Sequence, residues 1–570
     1  MNKRISYIFS FFAFLSLVLE YGFSWSSRGI INFHFFQLFL AFFFLIETVF
    51  LLYRGNYRRE IWKVNIAEAF SLFVFFFLLI IFLFLLRSQY LSTHLLRMSH
   101  FLPQTPFFIP VQIYLSLQIL AKASDIPRIL VHLPLKGGQV VVLTYLGIIV
   151  LGTFLLSLPQ AYGREYIPWI DRLFTATSAT CVTGLTVLDI STSFTRFGQS
   201  IILLLIQVGG LGLVTFVSFF ALIMGRGIGI RERALLKDVL DYDVVGELGR
   251  VVLTILLTTL FVEAIGTFAL LRVFSSFPQP IPSPYFFALF HSVSAFCNAG
   301  FSLFSNSLQN FRNSLSINFI FSVLIILGGL GFVVLIDLSK FFNRKIRKKF
   351  SILSIHSRLV LLTTVILIFS GFLLLLWINS GTTLSIKEKI LTSFFQSVTA
   401  RTAGFSTLEI RTLHPSAQLF LIFLMFVGAS PGSTGGGIKT STFAVVIITI
   451  FSYLRGKDRV EVWNRTLPSG LVHKIIAVVS FALFIIFFST FLLLLIEGKE
   501  FLPTFFEVVS AFGTVGLSHG ITPEFSSLGK IILMLTMLVG RIGPLTLALA
   551  VGPPGKKAKY TFPEEKVIVG

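Results

Sequence analysis

Four glycines, Gly184, Gly300, Gly404 and Gly516, sit in segments that repeat one another without gaps. Ten residues before each stands a phenylalanine (Phe174, Phe290, Phe394, Phe506). One residue after comes a bulky apolar side chain (Leu185, Phe301, Phe405, Leu517), and two after comes a hydroxyl (Thr186, Ser302, Ser406, Ser518). Three shared positions in four segments, spaced about a hundred residues apart, mark an internal repeat. The chemistry on offer is that of the backbone. Glycine permits main-chain angles that side chains forbid, and extended residues beside it can present carbonyl oxygens that replace a cation's water shell. The hydroxyl can brace the turn. Glycines in an apolar chain more often serve close helix packing, but packing needs neither the phenylalanine nor the hydroxyl at fixed offsets.

The elements that hold these segments are helices in a membrane. Of 570 residues 55% are hydrophobic and 12% charged, with mean hydropathy +0.89, whereas a soluble domain averages about a quarter charged. Runs such as Phe70–Leu86, Val140–Leu158 and Ile475–Ile496 approach the ~20 residues that cross a bilayer as helix. The chain therefore reads as an all-α polytopic membrane protein. Its net charge of +21 would point to nucleic acid in a soluble protein. Here the basic residues gather between apolar runs, as in Lys340–Arg358, the pattern of cytoplasmic loops, and no nucleic-acid partner is expected. Cys181 and Cys297 form no disulfide or metal framework; each stands three residues before a repeat glycine and counts as a small side chain there. Ile5–Leu19 is apolar but lacks a small-residue cleavage site, and reads as a first span.

Lys3 and Arg4 put the N-terminus inside. Apolar runs at 5–24, 33–53 and 64–86 are followed by basic residues Lys122, Arg128 and Lys136, so parity calls for a fourth span at Phe107–Leu120. Glu47, Glu68, Arg87 and Arg97 lie in or near these runs, where charge is costly. A voltage-sensing bundle is one reading of this block. Because no arginine recurs every third residue, an accessory bundle over 1–138 is preferred. Repeats are expected over 139–249, 250–355, 356–471 and 472–552, and a cytoplasmic tail over 553–570. Each repeat reads as a first span (140–158, 250–274, 357–379, 475–496), a re-entrant segment entering from outside, and a second span (197–224, 314–341, 416–452, 527–552). Phe286–Ala295 exemplifies the half-membrane helix. Such irregular backbone is tolerated at depth only where it lines water or is covered by protein, and the short helices would aim their negative carbonyl ends at the centre.

The sequences SATCVTGLT, SAFCNAGFS, TARTAGFS and SAFGTVGLS resemble the four filter segments of the Trk/Ktr/HKT superfamily of potassium transporters, and most of all the bacterial Ktr/Trk membrane subunit. The likeness covers about 139–570. It implies four M1–P-loop–M2 units in pseudo-fourfold arrangement around one pore, in a homodimer with one pore per subunit, in the cytoplasmic (inner) membrane with both termini cytoplasmic. It further implies that K+ is the transported ion, with no organic cofactor. By resemblance, the filter would be lined by Cys181, Val182, Thr183 and Gly184; Cys297, Asn298, Ala299 and Gly300; Arg401, Thr402, Ala403 and Gly404; and Gly513, Thr514, Val515 and Gly516. Gly184 is kept where sodium-preferring plant relatives carry serine, which favours potassium. A regulatory ring of nucleotide-binding (RCK-type) subunits is implied as a separate cytosolic chain, since no such domain follows Pro553.

The second span of the third repeat is interrupted at Gly428–Thr440. Gly428–Gly432 fits the G-x-S-x-G of a nucleophile elbow, which would make Ser430 a hydrolase nucleophile, but that needs a strand-to-helix turn and a placed histidine. Gly432–Thr440 nearly fits a phosphate-binding loop, with Ile438 intruding. A plain packing kink is the bland alternative. The resemblance implies a gating loop beneath the filter, formed by Gly432, Ser433, Thr434, Gly435, Gly436, Gly437 and Lys439. Arg541 in the last span must find water, carbonyls or an acid: it either partners a buried polar group or stands below the filter as a positive barrier, as an arginine does in the family. The matching positions in the first two repeats, Gly209–Gly212 and Gly328–Gly331, are uncharged. His291 and His519 read as local hydrogen-bonding residues. Glu263 and Glu507 are either paired or near the interface, with cation attraction one option for Glu507. The rivals to a potassium pore are a hydrolase using Ser430 and a pore for another cation, chiefly sodium.

Overall fold

The computed structural model describes residues 3–55, 76, 108–123, 137–163, 166–212, 248–276, 281–348, 352–381, 384–457 and 459–551. Among them, six helices are long and apolar enough to cross a membrane. Two belong to the N-terminal block, Lys3–Gly22 and Ser27–Gly55. The other four open the repeats: Gly137–Leu156, Leu248–Ser275, Ile355–Ile378 and Ser469–Glu497. They agree with the expected first spans to within a few residues.

Each is followed by a helix too short to cross: Trp169–Thr180, Pro284–Phe296, Ile386–Thr399 and Phe501–Gly513. Local chemistry fixes where these begin. Pro284 occupies the first turn, where its missing N–H costs nothing. Ser385 and Glu388 form a reciprocal capping box, which satisfies two orphan donors at once.

The second helices differ from expectation. Continuous spans were expected in three repeats and a break only in the third, whereas the second helix also breaks in the second and fourth repeats, and in the first it ends at Gly212, the last residue described there. Arg196–Leu211 ends at Gly212, and Leu315–Gly329 turns by 99° into Phe332–Ile346 at Gly331. Ser527–Ile542 gives way to Pro544–Val551 at Gly543. The physical reason is common to all three: Gly212, Gly331 and Gly543 adopt φ of +77°, +87° and +90°, which no right-handed helix allows. In the third repeat the interruption is a whole loop between Pro415–Phe426 and Thr440–Leu454.

The N-terminal helices, with Ile109–Ala123, share a small core around Phe44, Tyr114 and Leu115. Polar contacts tie them: Glu20 accepts from Gln112 at 3.1 Å and faces His34 at 2.9 Å, and Glu47 meets Ser6 at 2.9 Å and Lys122 at 3.4 Å. Apart from residue 76, the expected span 64–86, with Glu68, Arg87, Arg97 and the tail from Pro553, lies outside the described residues. Gln160 N donates to Gly22 O at 3.1 Å, joining this block to the first repeat.

Charged pairs staple neighbouring repeats. Lys530 meets Asp171 at 2.6 Å with both side chains about nine-tenths buried, and Arg312 meets Glu388 at 3.1 Å. Breaking one partner of a buried pair costs about 3–5 kcal/mol because the other charge is stranded. Asp171→Ala is therefore expected to lower the melting temperature in detergent more than the double replacement Asp171→Ala/Lys530→Ala. Equal losses would show that the pair is not a staple.

Candidate functional site

The four repeat glycines meet. A Cβ built on Gly184 would lie 2.4 Å from Ala299 O; on Gly300, 2.8 Å from Ala403 O; on Gly404, 2.3 Å from Val515 O; on Gly516, 2.2 Å from Thr183 O. Each glycine thus abuts the next segment's carbonyl, and the fourth returns to the first. The ring sits at the floor of a cavity of about 350 Å³ that opens above it.

The backbone is strained in the same way in each segment. Val182, Asn298, Thr402 and Thr514 have φ of +56°, +57°, +70° and +50°, and the glycine two residues later is also positive, between +70° and +90°. A left-handed residue that is not glycine costs roughly 1–2 kcal/mol, and for β-branched Val182, Thr402 and Thr514 it is a genuine outlier. Such strain persists only where its surroundings enforce it.

What enforces it is a hydroxyl that the sequence reading passed over, although it stands in the quoted motifs. Ser178 Oγ donates to Leu185 O at 2.7 Å and accepts from Gly184 N at 3.1 Å; Ser294 Oγ donates to Phe301 O at 2.8 Å; Ser510 Oγ accepts from Gly516 N at 3.1 Å. Each is six residues before its glycine. In the third repeat the role falls to Thr399, donating to Phe405 O at 2.7 Å, only five before. The gapless alignment is therefore off by one there: Phe395 is fully buried while Phe394, aligned with Phe174, Phe290 and Phe506, is only partly so. The turn from helix to glycine is one residue shorter.

All sixteen residues expected to line the filter lie at or just before this ring, and all are buried except Gly300, which is half-buried. Cys181 and Cys297 are buried free thiols. A Cβ on Gly210 would sit 2.8 Å from Cys297 Sγ, so the position does require a small side chain. Arg401 stands at the same place in the third repeat with its Nε buried and without a hydrogen-bond partner among the described residues.

The interrupted loop lies against the ring's inner side. Thr434 Oγ1 donates to Phe296 O at 3.3 Å, and Gly436 N donates to Thr514 Oγ1 at 2.9 Å. A Cβ on Gly435 would be 2.2 Å from Thr402 Oγ1. The loop is closed by its own bond from Gly428 N to Ile438 O at 2.8 Å and tied to the last span by Gly437 N donating to Gly540 O at 3.3 Å. Gly432 O accepts from Phe332 N at 2.9 Å, Ser433 Oγ donates to Ser430 O at 2.5 Å, and Lys439 Nζ donates to Gly435 O at 2.7 Å.

Arg541 completes the arrangement. Its guanidinium donates to Thr434 O in the loop and to Gly209 O and Gly210 O of the first repeat, while Nε reaches Tyr145 OH at 3.2 Å. Carbonyls, not an acid, receive it. Gly209, Gly328 and Gly540 serve packing: a Cβ on them would fall within 2.1, 1.9 and 1.8 Å of Thr180, Phe296 and Phe512 carbonyls.

Ser430 is buried and receives its hydrogen bond from Thr440 Oγ1 at 3.0 Å, not from an imidazole, and the loop is no strand-to-helix elbow. His291 is the local hydrogen-bonding residue expected, facing Phe287 O at 2.8 Å and Ser302 Oγ at 3.1 Å. His519 lies in the outer loop, where burial and then the nearby Arg411 charge lower its pKa.

Comparisons with known proteins point to one family of transporters. The TrkH family model, described as "Cation transport protein", matches residues 135–560. The Ktr system potassium uptake protein B of Bacillus subtilis is 39% identical, over 76% of this chain and 96% of that protein. The potassium/sodium uptake protein NtpJ of Enterococcus hirae is 34% identical, over 76% of this chain and 98% of that protein. The crystal structure of the potassium transporter TrkH from Vibrio parahaemolyticus superposes with a TM-score of 0.61 at 20% identity, covering 86% of this chain and 98% of that one, a likeness of fold.

The ring predicts a specific order of damage. Gly543 has the same left-handed φ as Gly184, +90° against +87°, but nothing within 4 Å of an added Cβ. Gly543→Ala should show backbone strain alone, about 1–2 kcal/mol. Gly184→Ala adds the clash with Ala299 O and should lower the melting temperature distinctly further. Equal shifts would mean that the segments are not in contact.

Proposed function

Because the chain belongs to the TrkH family of cation transport proteins, we propose that it takes up potassium across the bacterial cytoplasmic membrane through a filter of backbone carbonyls. The observation that carries this reading is the closed ring, in which four glycines each abut the carbonyl of the next segment. In a pseudo-fourfold pore built from four span–loop–span units, the left-handed residue two before each glycine swings successive carbonyls towards the axis. Their oxygens replace the ion's water shell, and the short helices direct their partial negative ends to the same point. The residues 181–184, 297–300, 401–404 and 513–516 line the path. The relatives named for potassium uptake support the choice of ion; the relative named for potassium and sodium makes sodium the competitor to test.

The gate is the loop 428–440 with Arg541. Thr434 lies against the second segment, Gly435 against the third and Gly436 against the fourth, while Arg541 ties the loop to the first repeat. A cation leaving the filter inward meets this loop and a guanidinium together. Opening requires Arg541 to exchange its carbonyl partners for water, and a cytosolic ring of nucleotide-binding subunits would supply the bias. The protein works as a homodimer, one pore per subunit, with both termini cytoplasmic. Family membership makes it a transporter and not an enzyme, which removes the hydrolase reading of Ser430.

Purified protein in liposomes should take up rubidium at low concentration, with sodium a weak competitor. Equal competition by sodium would replace the potassium reading by a general cation pore. Arg541→Ala removes bonds that close the gate, and flux without any regulator should rise about tenfold, the effect of lowering a barrier by ~1.4 kcal/mol. Unchanged flux from a folded variant would remove Arg541 from the gate.

A further inference from the structure

Glu507 lies in the short helix Phe501–Gly513 and is fully buried. Rather than meeting a cation, it is filled by donors from the chain just outside Gly516. Ser518 Oγ donates to Oε1 at 2.6 Å, His519 N to the same oxygen at 2.8 Å, and Thr522 Oγ1 to Oε2 at 2.8 Å. Ser518 in turn accepts from Gly520 N at 2.8 Å. The two oxygens of a carboxyl group have acceptor capacity for all three donors.

The other repeats carry weaker versions or none. His291 meets Ser302 Oγ at 3.1 Å and accepts from Leu303 N at 3.3 Å. Gln396 Nε2 donates to Ser406 Oγ at 2.9 Å. In the first repeat the matching Thr175 turns its hydroxyl back onto Asp171 O at 2.8 Å. The shared hydroxyl two residues after each glycine is thus held by an imidazole, an amide, a carboxylate or nothing, and only the carboxylate gathers three donors. The chain it gathers includes Gly516 to Gly520, which line the outer cavity.

We propose that Glu507 is a positioning residue for ion discrimination: it holds the outer mouth of the fourth segment at the spacing that favours potassium, without touching the ion. The inference rests on the transport reading above. Glu507→Gln keeps one carbonyl oxygen for Ser518 and His519 N and turns an amide towards Thr522, whose hydroxyl can rotate to accept it. Glu507→Ala strands all three donors.

Rubidium uptake into liposomes with sodium as competitor is measured for Glu507→Ala, Glu507→Gln and Ser518→Ala, together with hydrogen exchange at the His519 and Gly520 amides. The expected result for Glu507→Ala is a roughly tenfold loss of discrimination, a higher half-saturating rubidium concentration and faster exchange at both amides. Glu507→Gln should lie between it and wild type, and Ser518→Ala should lose about threefold. Should Glu507→Ala fail to fold, the other two variants carry the test. Folded variants that change only maximal flux, or nothing, overturn the proposal, as does unaltered exchange. If wild-type protein passes no rubidium, the transport reading fails, while the exchange result still decides whether Glu507 holds the mouth.

Discussion

Main chain pressed against main chain, with no room for a Cβ, is the constraint on which this structure depends. At the four glycines the space between one backbone and the next carbonyl oxygen is 2.2 to 2.8 Å from where a Cβ would sit. A real Cβ essentially never comes that close to a heavy atom. The ring also requires a non-glycine residue in left-handed conformation in every segment. These costs are offset by local hydrogen bonds donated by Ser178, Ser294 and Thr399 and accepted by Ser510. The surrounding helices supply the burial that keeps water from competing for them.

Around a closed ring of similar parts, function lies in the dissimilar ones. Among the described residues the second helix ends at a left-handed glycine in three repeats and gives way to a long loop in the third. Among the described residues, the loop of the third repeat is the one that folds back against the ring. Arg541 occupies the place that Gly210 and Gly329 hold in the first two repeats, and it reaches across to the carbonyls of Gly209 and Gly210. A guanidinium bound to carbonyls and one hydroxyl keeps its charge uncompensated by an acid, which suits a barrier to cations and is poorly explained by structural pairing. The fourth repeat therefore carries both the charge beneath the ring and, in Glu507, the strongest brace above it.

The glycines, the hydroxyls after them and the first spans were legible in the sequence because backbone geometry and bilayer thickness restrict residue type directly. The helix end at Gly212 and the glycine breaks at 331 and 543 were not read, because an isolated glycine within an apolar run has the same composition whether it packs or bends. Gly328 packs against Phe296 O and Gly331 turns the chain, although they share one GGLG. The one-residue slip in the third repeat was hidden because Phe394 and Phe395 stand side by side, so the gapless alignment found a phenylalanine where it looked. Ser178, Ser294 and Ser510 stand in the repeated motifs, but what marks them as braces is the residue they reach, six or seven positions on, which only the turn brings near. Glu507 was read as a possible attractor of cations; the chain folds back to fill both its oxygens.

The central claim is that the four segments share one ion between their carbonyls. A crystal soaked in rubidium or thallium and measured for anomalous scattering tests it directly. The account predicts a peak on the axis of the ring, level with the carbonyls of Thr183, Ala299, Ala403 and Val515. A ring without a peak under conditions where the protein transports the ion, or a peak lying off that axis, would contradict it.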